Sequence, residues 1–167
     1  MNSSSLEVSK LHAKLPQVVL QAVEAFKVHP KVVSALYGQP LYGTVIVSDS
    51  FGAVQRSHEF GDSATNTNSV YGRGLERIYR LTYNKDLVLA REGEDADKFA
   101  AGVRLGEFLL AVSGPSAHIC EMLCLRIAVA LGLASREEVY ELLQRFPNPF
   151  VTLSKKPDSR DLVLFVD

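Results

Sequence analysis

The sequence predicts an α/β domain: an antiparallel sheet of about five strands flanked by helices, extended at the C-terminus by a helix and a hairpin. Three observations carry that reading. Short β-branched or apolar runs, TVIVS, AVQRS, DLVLAR, KFAAGV and EFLLAVS, are set off from one another by acidic or glycine-containing turns. Between and around them lie segments with apolar residues at helical spacing. The chain has 167 residues, enough for one domain with a real core, since at this size about 70% of the unfolded surface is buried. The expected division is a mobile N-terminal segment over 1–14, a main domain over 15–134, and a helix-plus-hairpin extension over 135–167 packed on the same domain.

Residues 1–10 are polar and serine-rich. The first helix is expected from Leu15 to Phe26, with Pro16 in its first turn and Val19, Leu20, Val23 and Phe26 forming the buried stripe. His29-Pro30 should end or break it, and the following KVVSALYG is compatible with either helix or strand. TVIVS, the turn Asp49-Ser50-Phe51-Gly52 and AVQRS read as a β-hairpin, with glycine free to take positive φ. EFGDSATNTN, 59–68, is polar and should be loop, with Asn68 or Ser69 capping the next helix. That helix places Leu75, Ile78, Tyr79 and Thr82 on one face; Gly72 and Gly74 weaken its start by about 1 kcal/mol each relative to alanine.

The meander DLVLAR, KFAAGV, EFLLAVS turns at Gly93 and Gly106. In its last run both alternating sets, Phe108/Leu110/Val112 and Leu109/Ala111, are apolar, which marks a central strand covered on both faces. The helix from His118 to Leu133 has polar residues only at His118, Glu121 and Arg126 and must be buried around most of its circumference. Ser135 with Glu138 forms a capping-box pattern for a further helix whose stripe is Val139, Leu142, Leu143 and Phe146, stopped by Pro147. FVTLS and DLVLFV read as a terminal hairpin or two added edge strands.

Charge is nearly balanced, 18 basic against 19 acidic residues, which argues against nucleic-acid binding by counterion release. No basic region followed by an apolar core opens the chain, and the apolar run 119–133 is short of the roughly 20 residues a bilayer needs. A cytoplasmic protein without a membrane segment is expected. Cys120 and Cys124, four apart on one helix, read as buried thiols, since free cysteine packs as a small apolar residue; with His118 they would give three metal ligands, one short of a closed zinc site. No phosphate loop is present, and Gly72-Arg73-Gly74 lacks the third glycine and the preceding strand of a dinucleotide fingerprint. Glu92, Glu94, Asp95 and Asp97 lack the distant glutamate of a calcium loop. Ser116 and His118 invite a hydrolase reading, yet the glycine-x-serine-x-glycine elbow is missing, and Ser113 or Ser116 reads as a helix cap. No catalytic residue, metal ligand or cofactor is therefore assigned. Arg73, Arg77 and Arg80 fall on one helical face, as a solvated face or as forks for an acidic partner surface.

The helix LPQVVLQAVEAF, the hairpin TVIVSDSFGAVQRS with Asp49 and Gly52 in its turn, the helix around LERIYRLTY and the run from Asp86 to Leu131 together resemble the roadblock/dynein light-chain superfamily. The resemblance spans roughly 15–131. It implies a profilin-like sandwich of order α-β-β-α-β-β-β-α and a non-catalytic adaptor that dimerises through its middle helix and sheet edge and regulates small GTPases or motor complexes. On that reading Leu75, Ile78, Tyr79, Leu87 and Leu89 form the dimer surface, with Arg73, Arg77 and Arg80 beside it, and the free edge of the strand 86–91 is the docking edge. The residues around YGQPLYG and those after Ser135 are additions to the family pattern.

Val47-Ser48-Asp49 to Gly52, Gly61-Asp62-Ser63, Ser69 and Val112-Ser113-Gly114 also resemble the GlcG-like family of haem- or corrinoid-associated proteins. That resemblance implies a small-molecule binding protein, with His58 as the candidate haem ligand.

Overall fold

The computed structural model describes residues 3–61, 67–92 and 100–150. The acidic turn after Glu92, the start of KFAAGV, part of the polar loop 59–68 and the C-terminal hairpin fall outside them. The described elements are α1 (Ser3–Lys27), α2 (Pro30–Ala35), β1 (Gly43–Asp49), β2 (Val54–Phe60), α3 (Thr67–Tyr83), β3 (Gly102–Leu105), β4 (Phe108–Ser113), α4 (Ala117–Ala130) and α5 (Arg136–Arg145). The four strands form one antiparallel sheet in the order β2-β1-β4-β3.

α1 begins far earlier than Leu15, so most of the segment expected to be mobile is helix. Leu11, Leu15, Val19, Ala22 and Phe26 recur at steps of three and four, and all are buried; Leu11 and Leu15 extend the stripe about two turns before Val19, where the sequence reading began it, and Leu20, expected in that stripe, is 59% exposed. Pro16 consequently lies inside the helix, where it removes one backbone donor without ending it. α2 starts with Pro30 at its first position and His29 as an extended N-cap, which resolves the first five residues of KVVSALYG as helix and the last three as turn.

The hairpin forms as expected. Asp49 Oδ1 accepts from the backbone N–H groups of Phe51 and Ala53 at 3.0 and 2.9 Å, and Gly52 takes φ +85°. β2 runs on to Phe60, two residues into the segment read as loop, because Glu59 and Phe60 pair with Thr44 and Gly43. Gly61, at φ +76°, ends the strand.

β4 is central, paired with β1 on one side and β3 on the other. Its two apolar faces meet two different cores. Leu110 and Val112 join Val45, Val47 and Val103 in a large cluster with α1, α4 and α5, while Leu109 and Ala111 join Ile46 in a smaller one with Ile78 and Leu81 of α3. α4 is buried over most of its circumference, down to Glu121. Ser116 is its cap, its hydroxyl accepting from Ile119 N–H at 3.4 Å. The Ser135–Glu138 capping box is present in both directions, at 2.7 and 3.1 Å.

Among the described residues the sheet has four strands. DLVLAR contributes a single bridge, Leu89 to Val103, in place of a strand. The reason is local: Glu92 N–H bonds to Leu89 C=O at 3.2 Å, so a turn closes directly after the bridge. KFAAGV is shortened as well, since Ala101 sits at φ +78° and pairing begins only at Gly102. Among the described residues no helix is long and apolar enough to cross a membrane.

Candidate interaction surface

α3 is built around two glycines with different surroundings. A Cβ on Gly74 would lie 2.7 Å from Ile46 Cδ1, so the missing side chain lets the helix settle close onto β1. Gly72 has nothing within 4 Å of its Cβ position. Gly102 repeats the close approach from the sheet side, 2.9 Å from both Ala90 Cβ and Arg77 Cβ. The face so buried carries Val70, Gly74, Arg77, Ile78 and Leu81, and Ser113 Oγ reaches the Val70 carbonyl across it.

The eight residues expected to form an interface therefore separate. Ile78 and Leu89 are wholly buried and belong to the interior. Arg77 is 4% exposed, with Nη1 donating to the Arg73 carbonyl at 3.0 Å; burial lowers its pKa from the ordinary guanidinium value. Arg80 is half-buried and donates to the carbonyls of Ala90 and Glu92. The three arginines are thus not one solvated stripe: Arg80 ties α3 to the 88–92 segment, Arg73 Nη2 donates to the Gly114 carbonyl at 3.5 Å, and Arg77 folds back along its own helix. Leu75 and Leu87 are half-buried against the smaller core, and Arg73 and Tyr79 are exposed.

The sequence reading named Tyr79 but missed the two other residues that make this end of the molecule apolar outside as well as inside. Phe51 is 80% exposed and Tyr83 83%, beside Tyr79 at 49%. Tyr79 and Tyr83 are one turn apart on α3, and a Cβ on Gly52 would lie 2.7 Å from Thr82 Oγ1, which sets the hairpin tip bearing Phe51 against the end of α3. A large aromatic side chain at the tip of a glycine turn was the available signal, because such tips point to solvent.

The sheet edge beside α3 is closed. Ala90 N–H bonds to Gly102 C=O at 2.9 Å and Arg104 N–H to Val88 C=O at 2.7 Å, so 88–90 covers β3. Two further donors of that segment are taken by one carboxylate: Glu92 Oε1 accepts from Val88 N–H at 2.9 Å and Leu89 N–H at 2.7 Å. Arg91 ties the segment to α4, with Nε donating to Glu121 Oε2 at 2.7 Å and Nη2 to the Phe146 carbonyl at 2.6 Å. Asn148 completes the buried pin, donating to Glu121 Oε1 at 3.1 Å and the His118 carbonyl at 3.0 Å.

The opposite edge borders an apolar groove of about 650 Å³ between α1, α2 and β2, lined among others by Val19, Leu20, Val23, Val33, Leu36 and Phe60. His58, the candidate haem ligand, stands on its wall. It is the one haem-ligating side-chain type in that lining, and the single cation there, Lys27, is ion-paired with Glu24 at 2.5 Å. Cys120 and Cys124 are free and buried; burial pushes the Cys120 thiol up to about 11 and raises that of Cys124 as well. Among the described residues no group of three His, Cys, Asp or Glu could hold a metal ion.

Comparison of the chain with protein-family models, with curated proteins and with solved structures gave no match. Function must be read from the surface itself.

Proposed function

We propose that this chain is a non-catalytic adaptor or regulatory subunit of the roadblock/dynein light-chain type, which dimerises and docks a protein partner such as a small GTPase or a motor or scaffold complex. The observation that carries the reading is the exposed aromatic face formed by Tyr79, Tyr83 and Phe51. Aromatic residues are enriched at protein interfaces relative to the rest of the surface. The sheet order supports the profilin-like assignment: with the Leu89 bridge counted beside β3, the sequence of pairings runs β2-β1-β4-β3 and then 89, with α1 and α4 against one core and α3 against the other.

The geometry also restricts how such a dimer forms. With the donors of Val88 and Leu89 taken by Glu92, strand-to-strand pairing across that edge has few groups to use, and the helix face becomes the dimer surface. Leu75, Tyr79, Tyr83 and Phe51 form its apolar part. A stable interface of standard size needs about 800 Å² per partner, which requires the full length of α3 and the hairpin tip.

Light scattering on the purified chain at tens of micromolar tests this. A dimer is expected for the wild type and a folded, cooperatively melting monomer for Tyr79→Arg/Tyr83→Arg, since both side chains are exposed within one copy and the variant loses only the stability that association adds. A wild-type chain that stays monomeric, or a double variant that still dimerises, overturns the proposed surface.

A further inference from the structure

α1 carries a histidine at the point where its hydrogen-bond ladder is cut. His12 lies four residues before Pro16, and proline has no N–H to give the His12 carbonyl, so one rung is missing between residues 3–15 and the rest of the helix. The turns before Pro16 are held to the body by Leu11 and Leu15, both buried in the large core. His12 sits beside them, half-buried, and its ring Nε2 is sealed from solvent without a hydrogen-bond partner.

What surrounds the ring decides which charge state it tolerates. On α1 itself the positions three and four away are Val8, Ser9, Leu15 and Pro16, none of them charged. The described elements packed on α1 are β2, α2 and α4. β2 brings the Arg56 guanidinium towards the ring, with His58 two residues further along the same face, while Glu59, the one acid of β2, alternates to the other face. α2 has no acid and contributes Lys31. In α4 the single acid, Glu121, is bonded to Arg91 and Asn148, and Arg126 is a further cation. A neutral ring with its proton on Nδ1 fits this site, leaving Nε2 a bare acceptor. The imidazolium donates from both nitrogens, and the donor at Nε2 has no oxygen to meet. Burial, and then the Arg56 charge, accordingly lower the His12 pKa from its ordinary value.

We propose that the part of α1 before Pro16 is a proton-operated flap, closed on β2 while His12 is neutral and loosened when it takes a proton. The trigger is repulsion between the imidazolium and Arg56 at a site that offers no acceptor. The missing rung at Pro16 lets residues 3–15 respond without unwinding the remainder of α1. The sign follows from the lowered pKa: the open form binds the proton more tightly than the closed one. The flap is therefore held most firmly above about pH 6.5 and loosens as the pH falls from there to the closed-state pKa. Opening uncovers Leu11, Leu15 and the face of β2 that carries Arg56. The flap does not rest on the adaptor reading, because α1 and α3 pack on opposite faces of the sheet.

Backbone hydrogen exchange of the full-length chain, corrected for the intrinsic pH dependence of amide exchange, tests it. Protection of residues 7–15 should fall at least about threefold between roughly pH 7.5 and roughly pH 5.5 while β4 is unchanged. His12→Leu, whose side chain cannot take a proton, should abolish that fall. Protection at 7–15 that does not change with pH in the wild type overturns the proposal. So does a His12→Leu chain that keeps the fall, which would assign it to another group such as His58. A second measurement does not depend on how the leucine variant folds. The His12 ring, titrated by NMR, should have a pKa below its ordinary value in the wild type and move upward in Arg56→Gln. A ring that titrates at or above about 6.5, or one that ignores the loss of Arg56, overturns the flap.

Discussion

At the β3 edge of the sheet the Val88, Leu89 and Ala90 donors of the covering segment all have partners, whereas at the β2 edge a strand lies beside an apolar groove with no neighbour among the described residues. The difference does not come from β-propensity. DLVLAR is the more strand-like sequence of the two edge segments, and VQRSHEF, rich in polar and charged residues, is the one that forms a full strand. What separates them is the local polar chemistry around each. β2 follows a two-strand hairpin whose turn is organised by Asp49 and Gly52, and its register is set before any tertiary contact is needed. The 86–91 segment has a glutamate three residues after Leu89 that can turn back onto its N–H groups, and an arginine on α3 that takes its carbonyls. Side-chain hydrogen bonds competed with the ladder and won.

The largest effect should come from cutting the pin that anchors the closed edge. Arg91 and Glu121 are 10% and 1% exposed as side chains, and the pair is further bonded to Phe146 C=O and Asn148. Glu121→Ala leaves a buried guanidinium without its carboxylate and should cost about 3–5 kcal/mol in denaturant unfolding. A loss below about 1 kcal/mol, the size seen for exposed pairs, would show that the pin is not what anchors this edge.

Next in size is the carboxylate that blocks the edge. Glu92→Ala releases two backbone donors, and leaving partly buried donors unsatisfied costs about 1–3 kcal/mol. The amides of Val88 and Leu89 should exchange faster, and the variant should self-associate more strongly than the wild type as the edge becomes available for pairing. If exchange at these two amides is unchanged, the closed edge does not depend on Glu92, and the contrast between the two edges loses its stated cause.

The smallest effect tests the close seating of α3, which brings Arg80 within reach of Ala90. Gly72→Ala should stabilise by up to about 1 kcal/mol, the helix-propensity gain, because its Cβ position is open. Gly74→Ala receives the same gain but must displace Ile46 Cδ1, and overpacking of about 1–3 kcal/mol makes the net change destabilising. Thermal unfolding of the pair should show opposite signs. Two changes of the same sign would mean that the helix does not need Gly74 to approach the sheet.

Much of the interior was legible residue by residue. The central position of β4 followed from apolar residues on both alternating faces, the burial of α4 from its narrow polar arc, and the caps at Ser135 and at Ser116, one of two candidates, from side chains that act within one turn of themselves, whereas Asn68 and Ser69, expected to cap α3, lie inside it. The candidate surface was much less so. A helical wheel put Arg77 outside and gave no reason to distinguish Ile78 from Tyr79, because it does not know which way α3 is rotated against the sheet. That rotation is set by Gly74 and Gly102, and it buries Arg77 while it exposes Tyr79 and Tyr83.

The sequence by itself therefore determined the element order over most of the described chain, the hairpin turn, the caps and the two-sided burial of the central strand. Each of these depends on residues that are neighbours in the chain or on one element's own periodicity. Tertiary structure decided the early start of α1, the anchoring of 86–91 to α3 and α4, and the membership of the α3 surface. Those outcomes rest on contacts between distant segments, Leu11 with the common core, Arg80 with Ala90, and Arg91 with Glu121. Burial of a polar group or an apolar stripe is a property of what packs against it, and no window of sequence contains that partner.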